Sequence, residues 1–421
     1  PSTARSKLSP QRFTLPNGLT VIVQEKHDRH TIYVRGEIAS SPAFAPPGQE
    51  GIGRLASMVA PFGSEHYDFT QLRKITDDIG ASIDLGQTFS AQGYARDFPT
   101  LLGLLADGEE HPAFPEHWLA LQRGQLANTV QMENNISGNM VTRAYLQNLL
   151  PSDDPSLRFP SPLTIAAISR TDLLVYTQSY WRPDLTTIAI VGDVTLSRAR
   201  SAVEAAFGSW RRAGPKPSIT LPALPPAHTG HDFVGTDANQ VFIELGQPAV
   251  SRTNPDYDAF TLLSEMIGGA GYFESRLWQE LRQKRGLVYS VSSELRSDKD
   301  RGDLEIDLNA SPANVAPSIA LVREQLNRLR NEPVSAIELA SAKLRLISSA
   351  LLAEASARGQ LAEILELAQN GLPSDYFATL QSRFANITPA DIQRVARQYL
   401  RPDDLIQIYA GPSGPWSDHA I

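Results

Sequence analysis

The chain contains no cysteine among its 421 residues. That excludes disulfides, thiolate metal sites and cysteine nucleophiles together. Nor does it contain a basic run: its 38 Lys and Arg are interspersed with 46 Asp and Glu, for a net charge of −8. Nucleic acid is therefore not an expected partner, because phosphate binding needs clustered cations. No apolar run reaches the roughly 18–20 residues of a membrane span. The start, PSTARSKLSP, is polar and has neither an initiator Met nor an apolar signal segment. It reads as a processed or truncated beginning. The compartment stays open; if Pro1 marks a removed signal peptide, periplasm is preferred to cytoplasm.

Catalytic signatures are missing as well. The eight histidines are His27, His30, His66, His111, His117, His228, His231 and His419, and none falls in H-E-x-x-H or H-x-x-E-H. These are the spacings that place two imidazoles on one helical face beside a carboxylate. Each histidine therefore reads as an exposed polar residue, and no metal is expected on this chain. There is no G-x-S-x-G elbow for a serine nucleophile. A dinucleotide loop is suggested by Gly269 and Gly271, but Glu274 stands where the third glycine belongs. The preceding DAFTLLSEMI (258–267) has the pattern of a helix rather than a strand, so the fingerprint fails in its context.

What is present is an internal repeat. ISRTDLLVYTQSYWRPDLTTIAIVGD (168–193) returns as ITPADIQRVARQYLRPDDLIQIYAGP (387–412) with identities such as Asp172/Asp391, Arg182/Arg401 and Pro183/Pro402. Each copy predicts a helix capped by Ser169 or Thr388, an Arg-Pro-Asp stop and an apolar strand. FTLPNGLTVIVQ (13–24) adds a hairpin about Asn17-Gly18. A proline-rich stretch, PKPSITLPALPPAH (215–228), separates the halves. The expected architecture is α+β: two tandem homologous domains at 1–214 and 231–421, joined by a linker at 215–230, each a mostly antiparallel sheet packed with helices. One long helical region is expected at 335–368, opened by the capping box Ser335-x-x-Glu338.

The remaining chemistry lies in GGAGYFESRLWQELRQKRGLVYS (268–290). Ser275 can cap a helix, Leu277, Trp278 and Leu281 give it a buried face, and Gly286 stops it. Across the helix-to-strand reversal Arg282 and Tyr289 can converge, a guanidinium and a phenol suited to a carbonyl or a developing oxyanion. Spacing alone favours the plainer reading, in which Arg282 offsets the helix dipole and Tyr289 packs.

This segment resembles the C-terminal-domain signature of the pitrilysin- and insulinase-like (inverted-zincin) metallopeptidases, the family of the mitochondrial processing peptidase. The resemblance covers nearly the whole chain, including the NGL hairpin and YWRPDLTTIAIVGD. It implies two α/β halves of one fold and a zinc site assembled between two such double-domain units. Under it, Arg282 and Tyr289 would act on substrate bound at a zinc centre of another unit. Gly268, Gly269 and Gly271 would shape a loop near the substrate backbone, or form a simple turn. The zinc motif itself is lost: in GIGRLASMVAPFGS (51–64) Arg54 stands at the first histidine, Ser57 at the glutamate and Met58 at the second histidine. The third-ligand region, 120–132, holds no acid. The resemblance thus implies a non-zinc-binding subunit or half, a heterodimer with an H-x-x-E-H-bearing partner that carries the zinc, and a peptide substrate. A purely structural core subunit and a peptide-binding protein without hydrolysis remain as alternatives.

Overall fold

The computed structural model describes residues 8–218, 220–269 and 273–413. They form an α+β fold with two mixed sheets. In the first half, β1 (Gln11–Thr14) and β2 (Thr20–Glu25) make the expected hairpin, with Gly18 at φ +97° in its turn. The Asn17 side-chain amide ties that turn to the carbonyls of Phe207 and Trp210. β3 (Thr31–Ile38), β4 (Ser82–Asp84), β5 (Thr88–Tyr94) and β6 (Thr186–Gly192) complete a sheet of order β1-β2-β6-β3-β5-β4. Only the β2–β6 pairing is parallel.

The second half supplies β7 (Gly230–Gly235), β8 (Val241–Pro248), β9 (Val288–Ser297), β10 (Gly302–Ala310) and β11 (Ile406–Gly411). Their order is β7-β11-β8-β10-β9, again with one parallel pairing, β7–β11. β6 and β11 are therefore equivalent: each is the strand at the end of one repeat copy, and each pairs in parallel with one neighbour. The helices before them, Arg170–Tyr180 and Pro389–Tyr399, both carry the expected caps; Ser169 and Thr388 close reciprocal boxes with Asp172 and Asp391.

The chain forms two compact units, and each borrows a segment from the far half. The first comprises residues up to Met132, Arg158–Thr220 and Leu351–Ala378; the second comprises Glu133–Leu157, Leu221–Ala350 and the chain from Thr379. In the first unit the helix Ala357–Asn370 lays Leu361, Ile364 and Leu365 on Ile22, Ala189 and Val191. In the second, Ser137–Leu149 lays Val141, Ala144 and Tyr145 on Ile406, Ile408 and Ala410. The opposite face of each sheet holds the larger core. Both faces of the central strands are thus covered, which is why IAIV and IQIYAG are nearly continuous apolar runs rather than alternating ones.

The long helical region expected at 335–368 is two helices, Ala336–Glu354 and Ala357–Asn370. Ser356 caps the second by accepting from Gly359 N–H, and Gly359 packs so closely on Ala353 that a Cβ there would lie 1.9 Å from its carbonyl oxygen. The capping box at the start of the first is half made. Glu338 N–H bonds Ser335 Oγ, but the Glu338 carboxylate is held by Arg276 in a two-pronged pair at 2.6 and 2.9 Å.

Candidate functional site

The signature segment folds around Leu277 and Leu281, both fully buried. Trp278–Gln283 is a π-helical turn instead of the expected α-helix, with Lys284 N–H reaching back five residues to Gln279 O at 3.0 Å. The wider turn re-phases the side chains that follow it, a feature often found where a helix builds a site. Ser275 does not cap this turn: it is buried, and its hydroxyl has no partner among the described residues. Gly286 ends it as expected, at φ +61°, where its own N–H and that of Leu287 satisfy the carbonyls of Arg282 and Leu281. β9 starts two residues later.

This reversal brings Arg282 and Tyr289 together. The guanidinium carbon lies 5.4 Å from the Tyr289 ring centroid. Arg282 Nη1 donates to Val288 O at 3.1 Å, its one hydrogen bond among the described residues. Both side chains are exposed, Tyr289 to 66%. A stacked guanidinium and a phenol at the edge strand of a sheet offer several hydrogen-bond donors toward one region of solvent.

Gly268 and Gly269 serve the same strand. Gly268 is the last residue of the helix Tyr257–Gly268, and a Cβ on it would lie 2.9 Å from Ser293 N. Gly269 bridges to Ser293, and a Cβ there would meet the Glu265 carboxylate at 2.2 Å. Their missing side chains let the helix end close against β9. Gly271 lies outside the described residues.

The first-half helix, Ile52–Val59, keeps its buried face of Ile52, Leu55, Ala56 and Val59. Its would-be ligand positions do not fit zinc. Arg54 is a cation. Ser57 Oγ donates to Gly53 O at 3.0 Å and accepts from Gln87 N–H at 3.1 Å. Met58 packs against the core. A guanidinium, a committed hydroxyl and a packed thioether offer no anionic or imidazole ligand.

Sequence reasoning missed the acids of the second sheet. Glu244, Glu305 and Asp307 carry ligand atoms within 4.8 Å of one another, the kind of group that could hold a cation. The cluster contains a cation of its own, because Arg296 Nη2 lies 2.7 Å from Glu305 and 3.1 Å from Asp303. Burial and the neighbouring Glu305 push the Glu244 carboxyl up to about 10, and burial with the same neighbour raises Asp307 to about 7. Thr142 Oγ1 donates to Glu244 and Tyr145 OH to Asp303, which seats the borrowed helix on the sheet. The signal was legible: Asp303, Glu305 and Asp307 alternate with apolar residues along GDLEIDLNA and so share one face. Among the histidines, His27 and His30 converge on Asp193, and His66 pairs with Asp107. Hydrogen bonds from Asp193 and then Glu25 raise the His27 pKa.

Residues 167–346 match the family described as the Peptidase M16 inactive domain. The chain is homologous to the M16 zinc proteases. An uncharacterised zinc protease of Bacillus subtilis, YmxG, is 22% identical over 96% of this chain and 98% of its own. The alpha subunit of the bovine mitochondrial-processing peptidase is 22% identical over 94% of this chain and 81% of its own. Among solved structures, an M16 inactive domain from Pseudomonas fluorescens superimposes with a TM-score of 0.86 at 22% identity, over 97% of this chain and 98% of that one. The Escherichia coli periplasmic protease PqqL gives 0.82 at 16% identity, with 98% of this chain covering 46% of that one. The chain thus has the fold of the M16 peptidases, and residues 167–346 match their inactive domain.

Proposed function

We propose that this chain is the non-zinc partner of an M16 metallopeptidase and completes, in trans, the active site of an H-x-x-E-H-bearing unit. The observation that carries the reading is an asymmetry within one chain. The Arg282/Tyr289 pair is intact, mutually stacked and exposed, whereas the helix Ile52–Val59 has lost every ligand position. In the complex the partner's zinc supplies Lewis-acid polarisation of a peptide carbonyl. The residues of this chain have the complementary task. The Arg282 guanidinium donates to a substrate carbonyl and fixes the peptide, and the Tyr289 hydroxyl donates to the oxygen that gains charge as the carbonyl is attacked. Gly268 and Gly269 hold β9, and with it Tyr289, at a set distance from the helix behind. The substrate class is an extended or unfolded peptide.

The test is reconstitution. The chain alone and the chain mixed with an H-x-x-E-H-bearing homologue are assayed for cleavage of unfolded peptides, with and without a zinc chelator. The reading expects activity in the mixture only, abolished by chelation. Zinc-dependent cleavage by the chain alone would overturn it, and so would a partner fully active without this chain.

A further inference from the structure

Three strands of the second sheet set like charges against one another. Glu244 on β8 stands directly opposite Asp307 on β10, and Glu305 on β10 stands opposite Glu294 on β9. Such pairs repel unless one member is neutral. Asp303 completes the row opposite Arg296, so the three strands give this face five carboxyl groups and one guanidinium. Arg296 Nη2 lies 2.7 Å from Glu305, 3.1 Å from Asp303 and 4.0 Å from Glu244. Glu244 is the most enclosed of the acids, 1% exposed. Its Oε2 accepts from Thr142 Oγ1, whereas its Oε1 is buried without a hydrogen-bond partner among the described residues. An oxygen of the buried Glu305 lies within 4.8 Å of one on Glu244. Two acceptors pressed together out of water are satisfied by one proton held between them. The hydrogen bond between them raises the Glu244 carboxyl and lowers that of Glu305, which makes Glu244 the donor.

The same carboxyl groups seat the helix Ser137–Leu149. Thr142 bonds Glu244 and Tyr145 bonds Asp303, while Val141, Ala144 and Tyr145 pack on Ile406, Ile408 and Ala410. β11 places the apolar Ile408 beside Glu244, and the exposed Asp232 of β7 lies one strand farther out. We infer that Glu244 and Glu305 share one proton, and that this proton holds the helix Ser137–Leu149 on its sheet. Without it, two buried carboxylates and Asp307 face a single guanidinium, and lifting the helix admits water to them. Opening the seat returns the pair to ordinary carboxyl behaviour, so above about pH 4.5 it releases the proton that the closed seat keeps. The helix therefore loosens as pH rises. Glu244, raised to about 10, and Asp307, raised to about 7, carry that window across neutral pH. The inference does not depend on the peptidase reading.

The test is amide hydrogen exchange of the full chain between about pH 6 and about pH 8, read by mass spectrometry. Rates are expressed as protection factors, which remove the intrinsic pH dependence of exchange. Amides of Ser137–Leu149 lose protection by at least about tenfold per pH unit, the slope of one released proton. Amides of the helix Pro389–Tyr399, packed in the core on the other face of the sheet, keep theirs. Glu244→Gln retains an acceptor for Thr142 and a donor for Glu305 but cannot ionise. It removes one proton from the slope, about tenfold per pH unit. The inference is overturned if protection of Ser137–Leu149 is independent of pH, or if Pro389–Tyr399 loses protection in parallel. A wild-type slope in Glu244→Gln overturns it as well. So does a Glu244→Gln helix less protected than wild type at about pH 6, because the amide reproduces the protonated carboxyl.

Discussion

Arg182→Ala and Arg401→Ala change the same residue of the same repeated Arg-Pro-Asp triplet, yet the structure sets very different costs for them. Arg182 is 2% exposed, and its guanidinium meets Asp184 at 2.6 and 2.9 Å and the carbonyls of Ala213, Gly214 and Pro215 at 2.8–3.2 Å. Burial alone would raise the Asp184 pKa, but the Arg182 bonds overcome it and hold the carboxyl below its usual range. Removing Arg182 leaves that buried carboxylate and three carbonyls without their donor. Breaking a buried pair from one side costs about 3–5 kcal/mol. The lower end applies here, because Arg212 stays 3.7 Å from Asp184. Among the described residues the Arg401 side chain bonds only helix-end carbonyls, those of Arg397, Gln398 and Leu400, and Asp403 is exposed. Its loss costs about 0.5–1 kcal/mol. The assay is urea denaturation followed by circular dichroism, with Arg182→Ala expected to lower the midpoint of the first unit sharply. The reasoning is refuted if the two variants shift their transitions by similar amounts.

Three further outcomes follow from the structure. Glu363 is 7% exposed, one of its oxygens is buried without a partner among the described residues, and burial, with help from Glu354 and Glu366, raises its pKa to about 8. The folded state therefore holds a proton that the unfolded chain releases, so this contribution is full below about pH 4.5 and is lost as pH rises toward 8. Glu363→Gln should leave stability near pH 4.5 unchanged and raise it at pH 8; equal effects at both pH values would contradict the assignment. Gly286→Ala forces a Cβ into a left-handed conformation with open space around it, so it should cost only about 1 kcal/mol in a chemical melt while displacing β9 little. Gly268→Val instead drives a side chain into the backbone of Ser292 and Ser293, and should reduce activity of the reconstituted complex more than Gly286→Ala does.

The repeat, the hairpin and both capped helices were legible because each rests on local chemistry: a proline stop, an Asn-Gly turn, a hydroxyl three residues before an acid. The Arg282–Tyr289 approach was legible for the same reason, since Gly286 dictates where the helix turns into strand. The exchange of Ser137–Leu149 and Ala357–Asn370 between halves was not, because an amphipathic helix states that it must cover something without naming what. The π-helical turn was also hidden, as no residue in WQELRQ forbids an ordinary α-turn.

The most direct measurement is steady-state cleavage of an unfolded peptide by the reconstituted complex, comparing wild type with Tyr289→Phe and Arg282→Ala. The account predicts that Tyr289→Phe lowers kcat by about 10²-fold with KM little changed, as for loss of one oxyanion donor. Arg282→Ala should lower kcat/KM through both terms, because it also holds the substrate. Unaltered kinetics in both variants, in a complex that still assembles, would contradict the claim that this chain lends half of an active site.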